Sequence, residues 1–333
     1  MKNLGDEAFL SVMLHRFRQE TPNAHITVLS FNPAETKKLH RVEALNALGL
    51  KAFISLIMSN KIVLGGGGIF DTYVGGSINL TSYYSLAVSA IGILMKKNIQ
   101  FYAIGANSLF NRFVKLALFF VMNRPNVTIS VRDSDSKGQL KSVGVNKNIK
   151  VVMDPAADLP IESRDISNVI LQEHNVNLDK KLVGFTLRYI GGPNEKIVLS
   201  SISKFIDWLI EQNMEVVFIP MAKASHKKEE NDLLFAQEII ARIKHKKDLK
   251  VITNDLTPSQ VKSIINRLDL LVGMRFHSFI FAHSTNTPFI GISYSQKVSA
   301  FLNSISEQEL KIEHVSFETL KKIASEKLRL ETT

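Results

Sequence analysis

The stretch LLVGMRFHSFIFAHSTNTPFIGISYSQKV, residues 270–298, ends an apolar run at Gly273 and sets Arg275 and His277 where a helix must begin. A guanidinium fork suits a carboxylate or a phosphate. A helix N-terminus adds backbone N–H groups that favour the same anions. An imidazole titrating near neutrality can give or take a proton beside them. Lys297 follows a second apolar run in the same way. Arg132 in ISVRDSDS and Arg188 in GFTLRYIGG also stand at the ends of apolar runs, each open to pairing with a carboxylate of the chain or with an anionic ligand. The run VLGGGGIFD puts Gly66, Gly67 and Gly68 straight after a strand. Without Cβ atoms these residues either let a ligand come close or pack a turn against a helix, and their place at a strand end favours the ligand. Several cations and one histidine at such ends suit a small substrate carrying two or three negative charges.

These positions need elements to hold them. Short apolar runs alternate with helical patterns through most of the chain, the mark of α/β architecture with parallel sheets. Strands are predicted at His25–Ser30, Lys61–Gly66, Ile99–Gly105, Val127–Asp133 and Lys150–Met153 in the first half. Later ones fall in KLVGFTLRY, EVVFIPM, LKVIT, LDLLVG and PFIGIS. GDEAFLSVMLHRFRQE predicts a helix with Phe9, Met13 and Phe17 on one face and acids in its first turn, where the helix dipole favours them. The alternation lapses into polar, proline-containing sequence after Pro155. The expectation is an N-terminal Rossmann-like domain over 1–160, a linker over 161–178, a C-terminal Rossmann-like domain over 179–310 and a C-terminal helix over 311–333. Ligands of open α/β sheets sit at the carboxyl ends of the strands.

Composition narrows the chemistry. With 333 residues and no cysteine, the chain can build its cores without disulfides, and thiolate metal sites and cysteine nucleophiles are excluded. The same lack makes a reducing compartment, the cytoplasm, the expected location. A net charge of +10 fits nucleic acid, an anionic membrane surface or an anionic small substrate. No zinc motif, stacking-aromatic pattern or recognition helix supports nucleic acid. The apolar stretches Tyr83–Met95 and Phe113–Met122 are too short to span a bilayer, which takes roughly 20 residues. Core packing is their first reading. The second, with Arg112 before it and Lys115 inside it, is also compatible with peripheral contact at the inner membrane surface.

The motifs NLGDEA, VLGGGG, SVRDSDS, MDPAADL, GMRFHSFIFA and PFIGISYSQKV stand in the order of the polysaccharide pyruvyl transferase family, which the chain resembles over about residues 1–305. GMRFH followed by GISYSQK is the most specific part. The resemblance implies a GT-B-like fold of two Rossmann-like domains with parallel sheets facing a central cleft. It implies transfer of the pyruvyl moiety of phosphoenolpyruvate onto two hydroxyls of a sugar or lipid-linked glycan, with no metal and no further cofactor. His277 matches the general acid/base, and Arg132, Arg275 and Lys297 match positions holding phosphoenolpyruvate. Asn3 and Asp6 join the substrate set through NLGDEA, the phosphoenolpyruvate side being the C-terminal domain.

A rival reading is a nucleotide-sugar glycosyltransferase of the same fold, or a family member without catalysis. A nucleotide donor calls for a contact to ribose, often acidic, yet Gln296 and Lys297 follow GISYS. Members of the family usually place a strand before the NLGDEA element. The chain starts almost on that element, so the natural start is expected to lie upstream, and HITVLS is expected to join the N-terminal sheet beside KIVLGG.

Overall fold

A computed structural model describes residues 3–70, 80–106, 111–223 and 228–330. The chain divides into two compact units, residues 9–155 and residues 156–333 together with 1–8. The expected boundary at 160 thus moves slightly, and the first eight residues change sides.

In the N-terminal unit, β1 (Thr27–Ser30) pairs in parallel with β2 (Glu43–Asn46) as a two-stranded sheet. A four-stranded parallel sheet has the order β3 (Lys61–Gly65), β4 (Asn98–Ile104), β5 (Val127–Val131), β6 (Ile149–Val151). HITVLS therefore does not join KIVLGG. Its partner is the short EALN strand, whose two central residues alone are partly buried and whose pattern is too weak to read from sequence. Helix α1 (Leu4–Glu20) precedes β1, its first turn being grouped with the other unit, and helices α2 (Pro33–His40), α3 (Leu50–Met58), α4 (Leu80–Leu94), α5 (Arg112–Met122) and α6 (Ser134–Ser142) connect the strands. Phe9 and Met13 of α1 are buried, with Phe17 packed beside them.

The C-terminal unit carries a six-stranded parallel sheet of β7 (Leu182–Thr186), β8 (Glu215–Phe218), β9 (Leu249–Val251), β10 (Leu270–Gly273), β11 (Phe289–Ser293) and β12 (Glu309–Lys311). Its spatial order is β12-β11-β10-β7-β8-β9, the doubly wound arrangement in which the chain reverses direction between β7 and β10. The strands are buried on both faces, which explains their nearly continuous apolar runs. Side chains still alternate. Val183 and Phe185 align with Val216 and Phe218 on one side and with Leu270 and Val272 on the other, forming one face of the main core. Helices α8 (Asn194–Glu211), α9 (Asp232–Arg242) and α13 (Phe317–Leu328) close that core.

Helix α7 (Arg164–Glu173) lies within the segment 161–178 that was expected to be a linker, and it packs on α10 (Pro258–Ile265). Buried Ser263 accepts a hydrogen bond from the Glu162 N–H at 2.7 Å, and Arg267 donates to Asn168 at 3.0 Å. Isoleucines spaced for a helix were masked by the surrounding charge. The MDPAADL motif contains a short 3-10 turn, Pro155–Asp158, and the carbonyls of Ala157 within it and of Leu159 just after it accept from the buried Lys262 ammonium at 2.7 and 2.8 Å. Burial lowers the Lys262 pKa, and these carbonyls are what its charge receives in return for lost water. Helices α11 (Phe276–Ser284) and α12 (Gln296–Ser304) complete the unit, and α13 lies within the expected C-terminal helix, of which 331–333 fall outside the described residues.

Candidate functional site

Three neighbouring strands of the C-terminal sheet, β7, β10 and β11, end in the residues singled out from sequence. Arg188 follows β7, Arg275 and His277 follow β10, and Lys297 follows β11. All three run parallel at about 4.8 Å spacing, so their ends share one edge of the sheet. The reversal point between β7 and β10 lies on that edge, where open α/β sheets place ligands. Gly273 lets α11 pack tightly there, because a Cβ would come within 2.7 Å of Thr186 Oγ1 and 2.8 Å of the Phe279 ring. Thr186 and Ser278 join their hydroxyls at 2.7 Å and so lock the start of α11 onto β7.

His277 is buried in the first turn of α11. Its ring lies against the backbone of Gly5, where a Cβ would fall 1.8 Å from Nδ1. The first turn of α1 is thus part of this site. Asn3 shapes it, its side-chain oxygen accepting from the Gly5 N–H at 3.0 Å and its carbonyl from the Glu7 N–H at 3.4 Å. Asp6 stands in the same turn. The Leu4 N–H donates to the Met221 carbonyl at 3.1 Å and ties the first turn of α1 to the segment after β8.

That segment is held in turn by Asp232. Its Oδ2 accepts from the N–H groups of Met221 and Ala222 at 2.9 and 3.1 Å. The same carboxylate, almost fully buried, takes the Arg275 guanidinium, with Nε at 3.1 and 3.0 Å from its two oxygens and Nη2 also bound. Arg275 further donates to the Glu229 carbonyl at 3.2 Å. A continuous path therefore runs from Arg275 through Asp232, Met221 and Leu4 to Gly5 and the His277 ring. Arg275 spends much of its fork on this path, and most of its charge is countered within the protein.

Arg188 differs. It donates to the Tyr189 carbonyl and to the Tyr294 hydroxyl, both at 3.1 Å, and its guanidinium lies 5.2 Å from the centre of the Tyr294 ring. No carboxylate among the described residues pairs with it. Since β10 lies between β7 and β11, this contact spans the end of the central strand. Lys297 places its ammonium 4.0 Å from the centre of the Phe276 ring, which meets the His277 ring edge-on at 5.3 Å. Phe276 thereby fixes both the cation and the imidazole. Glu309 braces α12 against β11 by accepting from Ser293 and from Ser299, the latter at 2.5 Å. Those hydrogen bonds, chiefly that of Ser293, lower the Glu309 pKa.

Arg132 and the glycine run belong to the N-terminal unit. Buried Arg132 lies 3.6 Å from Asp133 and 4.0 Å from Asp154, with room made by Gly105, where a Cβ would stand 2.4 Å from Nη2. Gly66 and Gly67 adopt φ of +86° and +59°, and the Gly67 carbonyl accepts from the Gly105 N–H at 2.8 Å. Cβ atoms at Gly65 and Gly66 would press on the Phe9 ring at 2.8 and 3.1 Å, so the run has a packing reason inside its own unit. Gly68 continues the same turn. Among the described residues, no group of three or more histidine, aspartate or glutamate side chains is placed to hold a metal ion.

The profile of polysaccharide pyruvyl transferases matches residues 3–296. The chain belongs to the polysaccharide pyruvyl transferase family. Among curated proteins none matches it. Solved structures similar to this pyruvyl transferase family member include the ADP-heptose lipopolysaccharide heptosyltransferase II of E. coli, at 13% identity and TM-score 0.59 over 100% of this chain and 98% of that one. The UDP-GlcNAc 2-epimerase of Methanocaldococcus jannaschii aligns at 13% identity and TM-score 0.65, over 98% and 90%. A glycosyl transferase family 9 protein of Veillonella parvula aligns at 15% and 0.51, over 98% and 94%. At such identities the likeness establishes the GT-B fold of two Rossmann-like domains and nothing of the reaction.

Sequence reading of this family member missed Gly5, Phe276, Tyr294 and Asp232 as parts of the site. The first three sit inside motifs already singled out, so proximity was their available signal. Asp232 lies 43 residues before Arg275 and carries no local signal at all.

Proposed function

We propose that this protein transfers the pyruvyl group of phosphoenolpyruvate onto two hydroxyls of a sugar in a cell-surface or extracellular polysaccharide precursor, forming a pyruvate ketal. The observation that supports this reading is that Arg188, Arg275, His277 and Lys297 follow three adjacent strands along one sheet edge, with His277 against Gly5 in the first turn of α1. Phosphoenolpyruvate has a carboxylate and a phosphate and needs cations fixed in place. Arg188, whose charge no described carboxylate counters, and Lys297, steadied on Phe276, are suited to hold them. Arg275 contributes what its pairing with Asp232 leaves over. Arg132 keeps its candidacy from its place in the SVRDSDS motif.

In the proposed reaction a proton adds to the methylene carbon and leaves C2 electrophilic. One sugar hydroxyl adds to C2 and loses its proton, the C2–O bond to phosphate breaks, and a second hydroxyl closes the ring and loses its proton. The products are the ketal and inorganic phosphate. His277 handles these protons, a service typically worth about 10²–10⁴-fold in rate. The acceptor is a sugar or lipid-linked glycan. The test is incubation with phosphoenolpyruvate and candidate glycans, following phosphate release and the mass gained by the glycan. Release of phosphate matched by pyruvyl addition is expected. Glycosyl transfer from a nucleotide sugar, without reaction of phosphoenolpyruvate, would replace this reading by the glycosyltransferase one.

A further inference from the structure

The N-terminal unit displays apolar side chains that its own core does not use. Helix α5 is firmly formed. Asn111 caps it by accepting from the N–H groups of Phe113 and Val114 at 2.9 and 3.2 Å, and Val114, Leu118, Val121 and Met122 bury its inner side. Yet Phe113, Leu116 and Phe120, spaced as one stripe along its outer side, are 62%, 58% and 54% exposed. Helix α3 does the same with Leu50, Phe53, Ile54 and Met58, all exposed. Helix α4 packs against both, and Tyr83 of α4 stacks on Phe113 at 6.0 Å. Apolar stripes of this kind on folded helices mark a contact with something outside the chain.

Charge says what that something is. Between Glu43 and Asp133 the sequence has eight lysines and arginines, of which Arg132 is buried beside Asp133 and Asp154, and a single acid, Asp71. Arg112 and Lys115 border the α5 stripe, Lys51 lies in α3, and Lys96 follows α4, with no acid in any of the three helices. A second copy of the chain would set these cations against themselves in a two-fold contact. An anionic lipid surface instead takes the aromatic and aliphatic side chains into its outer acyl region and meets the lysines and arginines with its headgroups. No described helix is long and apolar enough to cross a membrane, so this would be an attachment in the plane of the interface. We infer that the α3–α5 face of the N-terminal unit docks on anionic membranes. The inference does not rest on the proposed reaction.

Flotation of the full chain with vesicles tests it. Binding is expected to vesicles of phosphatidylcholine with phosphatidylglycerol, to weaken in high salt and to be absent from phosphatidylcholine alone. Arg112→Gln and Lys115→Gln should each weaken binding roughly fivefold. The combined Phe113→Ser, Leu116→Ser, Phe120→Ser variant should lose it while keeping its circular dichroism and melting temperature. Failure of the unaltered protein to float with anionic vesicles would overturn the inference, as would equal binding by the triple variant. A dimer in solution that the triple variant dissolves, with no vesicle binding, would assign the face to a second copy instead.

Discussion

His277 rests on Gly5: the imidazole occupies the space that any side chain at residue 5 would need. Gly5→Ala must therefore displace the buried ring or push α1 away from it. Overpacking of this kind costs about 1–3 kcal/mol. A lowered melting temperature together with loss of turnover is expected, read by calorimetry and initial rates. An alanine variant of normal stability and rate would show that the ring and α1 move apart freely.

His277→Gln keeps a polar group of similar size and should stay folded while turnover falls by about 10²–10⁴-fold. Circular dichroism and rate measurement on the same sample decide between roles. A residue that only packs would lower stability and leave the folded fraction fully active.

Asp232 is a positioning residue in this account. In Asp232→Asn one carboxylate oxygen becomes an amide donor, which then faces either the Arg275 guanidinium or the N–H groups of Met221 and Ala222. Breaking a buried ion pair typically costs about 3–5 kcal/mol. Urea unfolding should show it, and KM for phosphoenolpyruvate should rise as the α11 and α1 termini loosen. Unchanged values for both would mean that the Arg275–Asp232 path does not hold the site.

Ligand binding should report the cations directly. Phosphoenolpyruvate at 100 times its Kd should stabilise the protein by about 2.7 kcal/mol, measured as a melting shift. Arg188→Ala should abolish the shift while lowering the melting temperature of the ligand-free protein only slightly, since the half-buried Arg188 gives up hydrogen bonds to the Tyr189 carbonyl and the Tyr294 hydroxyl. A shift with a nucleotide sugar and none with phosphoenolpyruvate would point to the glycosyltransferase reading.

Stability in acid should carry the mark of Glu309. Hydrogen bonds from Ser293 and Ser299 hold its folded pKa below the ordinary glutamate value. The stabilisation is then fully present above the unfolded pKa, about 4.3, and disappears as pH falls through the lower folded value. Glu309→Gln should thus melt earlier than the unaltered protein near neutrality, with the gap closing as pH drops below that of a free glutamate. Melting curves across that range would show a constant gap if these hydrogen bonds did not depend on the charge.

Much of the candidate site can be read along the chain because its residues sit at strand ends. An apolar run announces each strand of the C-terminal sheet, and Arg188, Arg275, His277 and Lys297 follow those runs within a few residues. The alternation of β and α patterns likewise determines the fold class, and the motif order determines the family. Weak local signals were lost: β2 has too few apolar residues to announce itself, and α7 was hidden among charges. Tertiary structure alone decided which strands are neighbours, because parallel pairing joins segments far apart in sequence. It placed β7, β10 and β11 side by side, brought Asp232 to Arg275, and seated His277 on Gly5, some 270 residues away along the chain. Hydrogen bonds and close packing between distant segments depend on the folded path of the backbone, and no local pattern of residue types encodes that path.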